Sequence, residues 1–112
     1  MRKVLPLVLL AALGGTLLVA APALSKRKSV EVDDNYFVHR GAPSTVAVRR
    51  GDVVEWEWEG RNPHNVTVAR GPVKFHSRTQ RRGTYEKRMR RSGTYRIICT
   101  IHAGMRMTLR VR

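Results

Sequence analysis

The chain has 112 residues, of which 42% are hydrophobic, and carries 22 Lys and Arg against 8 Asp and Glu for a formal charge of +14. That length makes one domain with a single core. One cysteine excludes an intramolecular disulfide, and the charge calls for an anionic partner or surface.

Met1–Ser25 starts with Arg2 and Lys3, continues as a long apolar run and ends on small residues. This is the pattern of a signal peptide, and Ala21-Pro22-Ala23 fits the small-x-small cleavage rule. Cleavage is expected after Ala23 or after Ser25. The alternative is an uncleaved anchor, because the run is near the length that spans a bilayer. Pro6 and the Gly14-Gly15 pair weigh against a durable helix there. No arginine pair precedes the run, and no cysteine lies near the cleavage site for lipid attachment. Removing residues 1–25 leaves 87 residues; Arg2 and Lys3 take two charges with them, leaving +12. No second apolar segment follows, so residues 26–112 are expected as a soluble, monomeric domain. The expected location is the periplasm, the cell envelope or the medium.

Beyond residue 25, short runs rich in Val, Ile, Thr, Trp and Tyr recur between Gly, Pro and Asn, which reads as an all-β sandwich or barrel. The expected strands are Ser29–Val32, Thr45–Val48, Val53–Trp58, Val66–Ala69, Thr84–Met89, Thr94–Cys99 and Met107–Val111. In the third, Val54, Trp56 and Trp58 share one face, and Glu55, Glu57 and Glu59 the other. The tryptophans are core residues, and the glutamates are placed to pair with arginines across the sheet. Tyr85 and Met89 share a face in the fifth strand, so Met89 belongs to the core. Gly71–Gly83 is the longest irregular stretch and reads as a surface loop.

The chemistry concentrates around Cys99. His102 follows three residues later, Met105 three after that, then Met107; upstream lies Asn62-Pro-His64-Asn65. One thiolate, two imidazoles and a thioether form the ligand set of a blue-copper electron-transfer site, in which sulfur favours Cu(I) and imidazole suits Cu(II). Alone, a single cysteine is more often a small buried hydrophobe. A free thiol outside the cell is open to oxidation, and metal ligation removes that liability. Three donors come from one short loop and the fourth, His64, from a separate one. A metal there ties the two halves of a sandwich together. His39 and His76 have no ligand partner at a recognisable spacing and read as surface residues.

With these residues in view, the sequence resembles the cupredoxins, the plastocyanin and azurin superfamily of blue copper proteins, and among them the amicyanin-like members. The likeness runs from about Val30 to the last residue. Gly51-Asp-Val-Val-Glu-Trp with Asn62-Pro-His-Asn-Val resembles the family's first-ligand region, and Gly93-Thr-Tyr-Arg-Ile-Ile-Cys-Thr-Ile-His-Ala-Gly-Met its ligand loop. The resemblance implies a Greek-key β-sandwich with one copper ion at one end and outer-sphere electron transfer as function. It assigns His64, Cys99 and His102 as ligands. Amicyanin-like spacing selects Met105 as the axial ligand, plastocyanin-like spacing Met107. The length of the tail favours Met105, since Met107 would then begin the closing strand. Asn65 matches a residue whose side chain ties the first loop to the position after the cysteine, here Thr100. Ile101 and Ala103 stand where the family often has proline. Each restores an N–H, and a donor aimed at the Cys99 sulfur would raise the potential.

The expected role is therefore an electron carrier and not an enzyme, with His102 as the electron port inside an apolar collar of Pro63, Ala103 and Met105. The alternative is a copper protein for storage, delivery or resistance without a redox circuit. Cys99 as a catalytic nucleophile with His102 as base lacks the activating helix end and the third, orienting group. Nucleic-acid binding has charge but no reading motif. Arg78, Arg81, Arg82, Lys87, Arg88, Arg90 and Arg91 crowd one stretch of sequence, which points to an acidic redox protein or an anionic envelope surface as partner.

Overall fold

Alternation along Val53–Trp58 decides the layering. The computed structural model describes residues 24–41 and 43–112, and in it Val54, Trp56 and Trp58 are buried while Glu55 and Glu57 are half-exposed. The expected leader, residues 1–25, lies outside the described residues apart from Leu24 and Ser25.

Eight strands follow one another: β1 (Arg27–Asp33), β2 (Tyr36–Phe37), β3 (Ser44–Val48), β4 (Val53–Trp58), β5 (Thr67–Arg70), β6 (Gly83–Arg88), β7 (Gly93–Ile98) and β8 (Arg106–Val111). They form two four-stranded sheets, ordered β2-β1-β4-β6 and β3-β8-β7-β5. The chain passes from one sheet to the other at every connection except β1–β2 and β7–β8. β1 runs parallel to β4 and β3 parallel to β8; the remaining neighbours are antiparallel. This is the all-β Greek-key sandwich that the sequence implies. Among the described residues there is no helix, so none is long and apolar enough to cross a membrane.

The expected strands all form, with ends displaced by at most two residues. β2 was not expected. It pairs only Val32 with Phe37 and Asp33 with Tyr36, too short to show a period. Gly71–Gly83 contributes no strand before Gly83, yet Phe75 and Ser77 are buried. Its backbone is bonded along the segment before and within β5, through Val68 N–H to Phe75 O (3.0 Å) and Ser77 N–H to Val66 O (2.8 Å). It is the surface segment expected, pinned to the edge of the sandwich by these bonds.

The core lies between the sheets. Val30, Val32, Val54, Trp56 and Trp58 face Val46, Val48, Val68, Tyr95, Ile97, Leu109 and Val111. Met89 is buried with them, as its spacing indicates. Trp56 is fully buried, its ring 6.1 Å from Phe75 and 5.8 Å from Tyr85, both in tilted packing. Among the described residues its indole N–H has no hydrogen-bond partner. Such an orphan donor keeps its desolvation cost of about 1–3 kcal/mol, so the ring stabilises by volume and not by its polar handle. Trp56→Ala should therefore cost about 3–5 kcal/mol, whereas Trp56→Phe should cost clearly less because it removes the orphan donor with part of the ring. Denaturant unfolding of the metal-free protein measures both.

Candidate metal centre

His64 sits between β4 and β5, where the backbone is clamped before any side chain is considered. Its N–H donates to Gln80 O (2.9 Å), and its carbonyl accepts from Gln80 N–H (3.0 Å) and from the Trp58 indole N–H (3.2 Å). The core tryptophan of β4 thus fixes the level at which the imidazole enters. The side chain is fully buried.

The other donors come from the loop joining β7 to β8. Cys99 N–H donates to Met105 O (3.0 Å), and Met105 N–H to His102 O (3.2 Å). These bonds close the loop on itself, with Gly104 at φ 82° making the left-handed turn that a Cβ would strain. Cys99 and Met105 are buried by that closure; His102 is half-exposed, and Ile101 beside it is 49% exposed.

The three donors converge. His64 Nδ1 is 3.1 Å from His102 Nδ1, Cys99 Sγ is 3.4 Å from His102 Nδ1, and the three ligand-type atoms lie within 4.8 Å of one another. Ligand bonds of about 2.0–2.3 Å place donors of one ion roughly 3–4 Å apart, so the spacing fits a single small ion. The donor set of one thiol and two imidazoles suits copper.

Asn65 joins the two loops. Its Oδ1 accepts from Thr100 N–H (3.1 Å) and the Thr67 hydroxyl (2.8 Å). Its Nδ2 donates to the hydroxyls of Thr100 (2.8 Å) and Thr79 (3.0 Å). The amide is buried with all its polar capacity used.

These features match known proteins. The sequence model described as "Copper binding proteins, plastocyanin/azurin family" matches residues 27–112. The chain belongs to this copper-binding family. Among solved structures it is similar to a copper-containing nitrite reductase from Thermus scotoductus SA-01, with a TM-score of 0.66 and 24% identity over 86% of this chain and 25% of that one. It is also similar to a reduced Cu(I) form of an amicyanin variant, with a TM-score of 0.60 and 25% identity over 84% of this chain and 86% of that one. An oxidised variant of amicyanin gives 0.62 and 23% over 76% and 81%. The chain spans only a quarter of the nitrite reductase, so that likeness concerns one domain of it. Copper is the cofactor of this cupredoxin, and His64, Cys99 and His102 stand in position to hold it.

The other residues singled out in the sequence fall into place around this point. Met105 lines the same concavity as Cys99 and His102. Met107 lies within β8 opposite Ile97, on the buried side with Leu109 and Val111. His39 and His76 are exposed and outside the cluster. Among the described residues Cys99 Sγ makes its polar contact with His102, and the N–H groups of Ile101 and Ala103 are not its donors.

Sequence reading missed Asp34. It lies in the β1–β2 turn, and its Oδ1 stands 2.8 Å from His64 Nε2. Arg61 N–H and Asn62 N–H also donate to the carboxylate, each at 2.9 Å. The Arg61 N–H, then the His64 ring and the Asn62 N–H, hold its pKa down to about 2. Asp33-Asp34-Asn35 reads as ordinary turn chemistry, and nothing in the spacing links it to a histidine thirty residues on.

Asn65→Ala should cost about 1–3 kcal/mol, the cost of stranding the Thr100 N–H. Asn65→Asp should cost less, because a carboxylate still accepts that N–H and the threonine hydroxyls can turn to donate. The unfolding midpoints of the metal-free variants check this.

Proposed function

We propose that the chain is an exported mononuclear type 1 copper protein that carries single electrons by outer-sphere transfer. Residues 1–25 are its leader and residues 26–112 its copper-binding domain, which works as a monomer in the periplasm, at the cell envelope or in the medium. His64 and His102 would supply Nδ1, Cys99 its thiolate and Met105 its thioether. When bound, the ion supplies the Cu(I)/Cu(II) couple.

The observation that carries this reading is the convergence of His64, Cys99 and His102 on one point from two loops tied by Asn65. The chain's own residues do three things there. Burial of His64, Cys99 and Met105 keeps water from the ion. The hydrogen-bonded loops hold the donors in place, so a change of oxidation state demands little rearrangement. Of the two imidazoles of the cluster, half-exposed His102, beside exposed Ile101 and Ala103, offers the edge within reach of a partner. The position of Met107 in β8 supports the choice of Met105. No bond-making role is assigned to any residue.

The basic run is divided in space, which refines where a partner docks. Gln80 bridges to His64 and Arg81 Nη1 donates to Arg61 O, so Arg81 and Arg82 lie at the copper end. Arg88 bonds Gly51 O at the other end of β6, beyond which come Arg90 and Arg91. Six residues of strand separate the two groups by about 20 Å. That exceeds the Debye length of about 8 Å at physiological salt. An acidic redox protein docking at His102 is steered by Arg61, Arg81 and Arg82; the far group suits an anionic envelope surface.

Cu(II) added to the purified protein should bind one to one and give an intense thiolate-to-copper band in the orange. Cys99→Ser should abolish the colour. Met105→Gln should lower the potential, since an oxygen donor favours Cu(II), while Met107→Gln should disturb folding more than potential. A colourless wild-type complex would refute the carrier reading. For the partner, the rate of electron transfer to an acidic redox protein should fall as salt rises. Changing Arg81 and Arg82 to Gln should flatten that dependence more than changing Arg90 and Arg91, measured by stopped flow.

A further inference from the structure

We infer that Asp34 is a positioning residue of the copper centre: its carboxylate fixes the His64 imidazole in the tautomer and orientation that present Nδ1 to the ion, and strengthens it as a donor. This rests on the reading of His64 as a ligand.

A carboxylate can only accept hydrogen bonds. The 2.8 Å contact to His64 Nε2 therefore places a ring hydrogen on Nε2, and in the neutral ring this leaves the Nδ1 lone pair facing His102 and Cys99. The carboxylate is itself fixed. Oδ2 accepts from Arg61 N–H and Oδ1 from Asn62 N–H, so the β1–β2 turn and the segment ahead of His64 close on each other through this one side chain. Gly60 completes the seat, because a Cβ added there would collide with the Asp34 carboxyl group. The Asp34 side chain is only 29% exposed, and His64 is wholly buried, so water does not compete freely for the Nε2 hydrogen.

Ligating histidines commonly hand their second ring N–H to such a partner, and losing it weakens metal binding about 10–100-fold. Here the effect divides unequally between the two oxidation states. A ring polarised by a full negative charge donates more strongly, and Cu(II), the more highly charged ion, gains more from it than Cu(I). Asp34 thus holds the potential down, opposite to the effect of a donor aimed at the Cys99 sulfur.

The test uses Asp34→Asn, Gly60→Ala and, as a charge control, Glu59→Gln, which removes a negative charge without touching His64. Copper affinities are measured by chelator competition and potentials by redox titration. Asp34→Asn should lose about 10–100-fold in Cu(II) affinity and less for Cu(I). Each tenfold of difference raises the potential by about 59 mV. Gly60→Ala, which changes no charge, should move the potential the same way by displacing the carboxylate, and it carries the test if Asp34→Asn fails to fold. Glu59→Gln should leave the potential near wild type. In metal-free wild-type protein, long-range nitrogen–proton spectra should show His64 as the Nε2–H tautomer, and in Asp34→Asn a mixture. The inference is overturned if wild-type His64 carries its hydrogen on Nδ1, or if Asp34→Asn and Gly60→Ala shift the potential no more than Glu59→Gln. A blue wild-type protein with those results would overturn the role of Asp34 alone. A colourless one would overturn the copper-carrier reading, and the His64 tautomer would still decide the role of Asp34.

Discussion

The amide of Asn65 bonds Thr100 through both its oxygen and its nitrogen, and the relative position of the two donor-bearing loops depends on it. His64 precedes Asn65 by one residue and Cys99 precedes Thr100 by one. The pair of bonds therefore fixes the separation of an imidazole from a thiol without help from any ion. The rest of the site is arranged around that constraint. Gln80 and Trp58 set the level of His64, and the Cys99–Met105 bond sets the width of the second loop. Each of these uses a backbone group or a buried side chain with few alternatives, which is what a centre with small rearrangement needs.

The sandwich was legible because most of its strands are buried on one face only. In β4 apolar and acidic residues alternate from Val54 to Trp58, and its limits agree with the sequence reading at both ends. β2 has two residues and no period to detect. In Gly71–Gly83 the alternation is short, Val73-Lys74-Phe75-His76-Ser77, and its inward face ends on a polar residue, so the buried Ser77 gave no clear signal; the segment is held by backbone bonds to a neighbour that is chosen only in three dimensions. The meeting of His64, Cys99 and His102 was legible for a different reason. Thiol and imidazole are rare enough side chains that their spacing carries information. Asp34 is not of that kind, since aspartate in a turn is common, and its contact with His64 arises from pairing β1 beside β4. The basic run shows the same limit. Neighbours in sequence become two groups at opposite ends of one strand, because extended chain advances about 3.3 Å per residue.

Two carboxylates and two histidines illustrate how placement decides role. Asp34 meets a buried imidazole and two backbone N–H groups. Asp52 is the more buried of the two and accepts from Lys26 N–H and Arg49 N–H, far from any donor of the cluster; those bonds lower its pKa and join the starts and ends of strands. His76 gives its Nδ1–H to Ser77 O and stays exposed. His64 turns inward with both ring nitrogens engaged. The residue types are the same, and the difference lies in which backbone groups the fold leaves nearby.

The parallel pairing of β3 with β8 has a consequence for how the molecule assembles. β8 is an inner strand of its sheet, yet it is the last of the eight to be made, and it takes β3 as one neighbour and β7 as the other. Until it is in place, β3 has no partner in its sheet. Contacts between such distant segments must close long loops before any pairing rewards them, which slows folding. The donor loop lies between β7 and β8, so its second end is fixed only when β8 pairs. The donors therefore come together with the closure that completes the second sheet, and an ion held by them would report that β7 and β8 have paired.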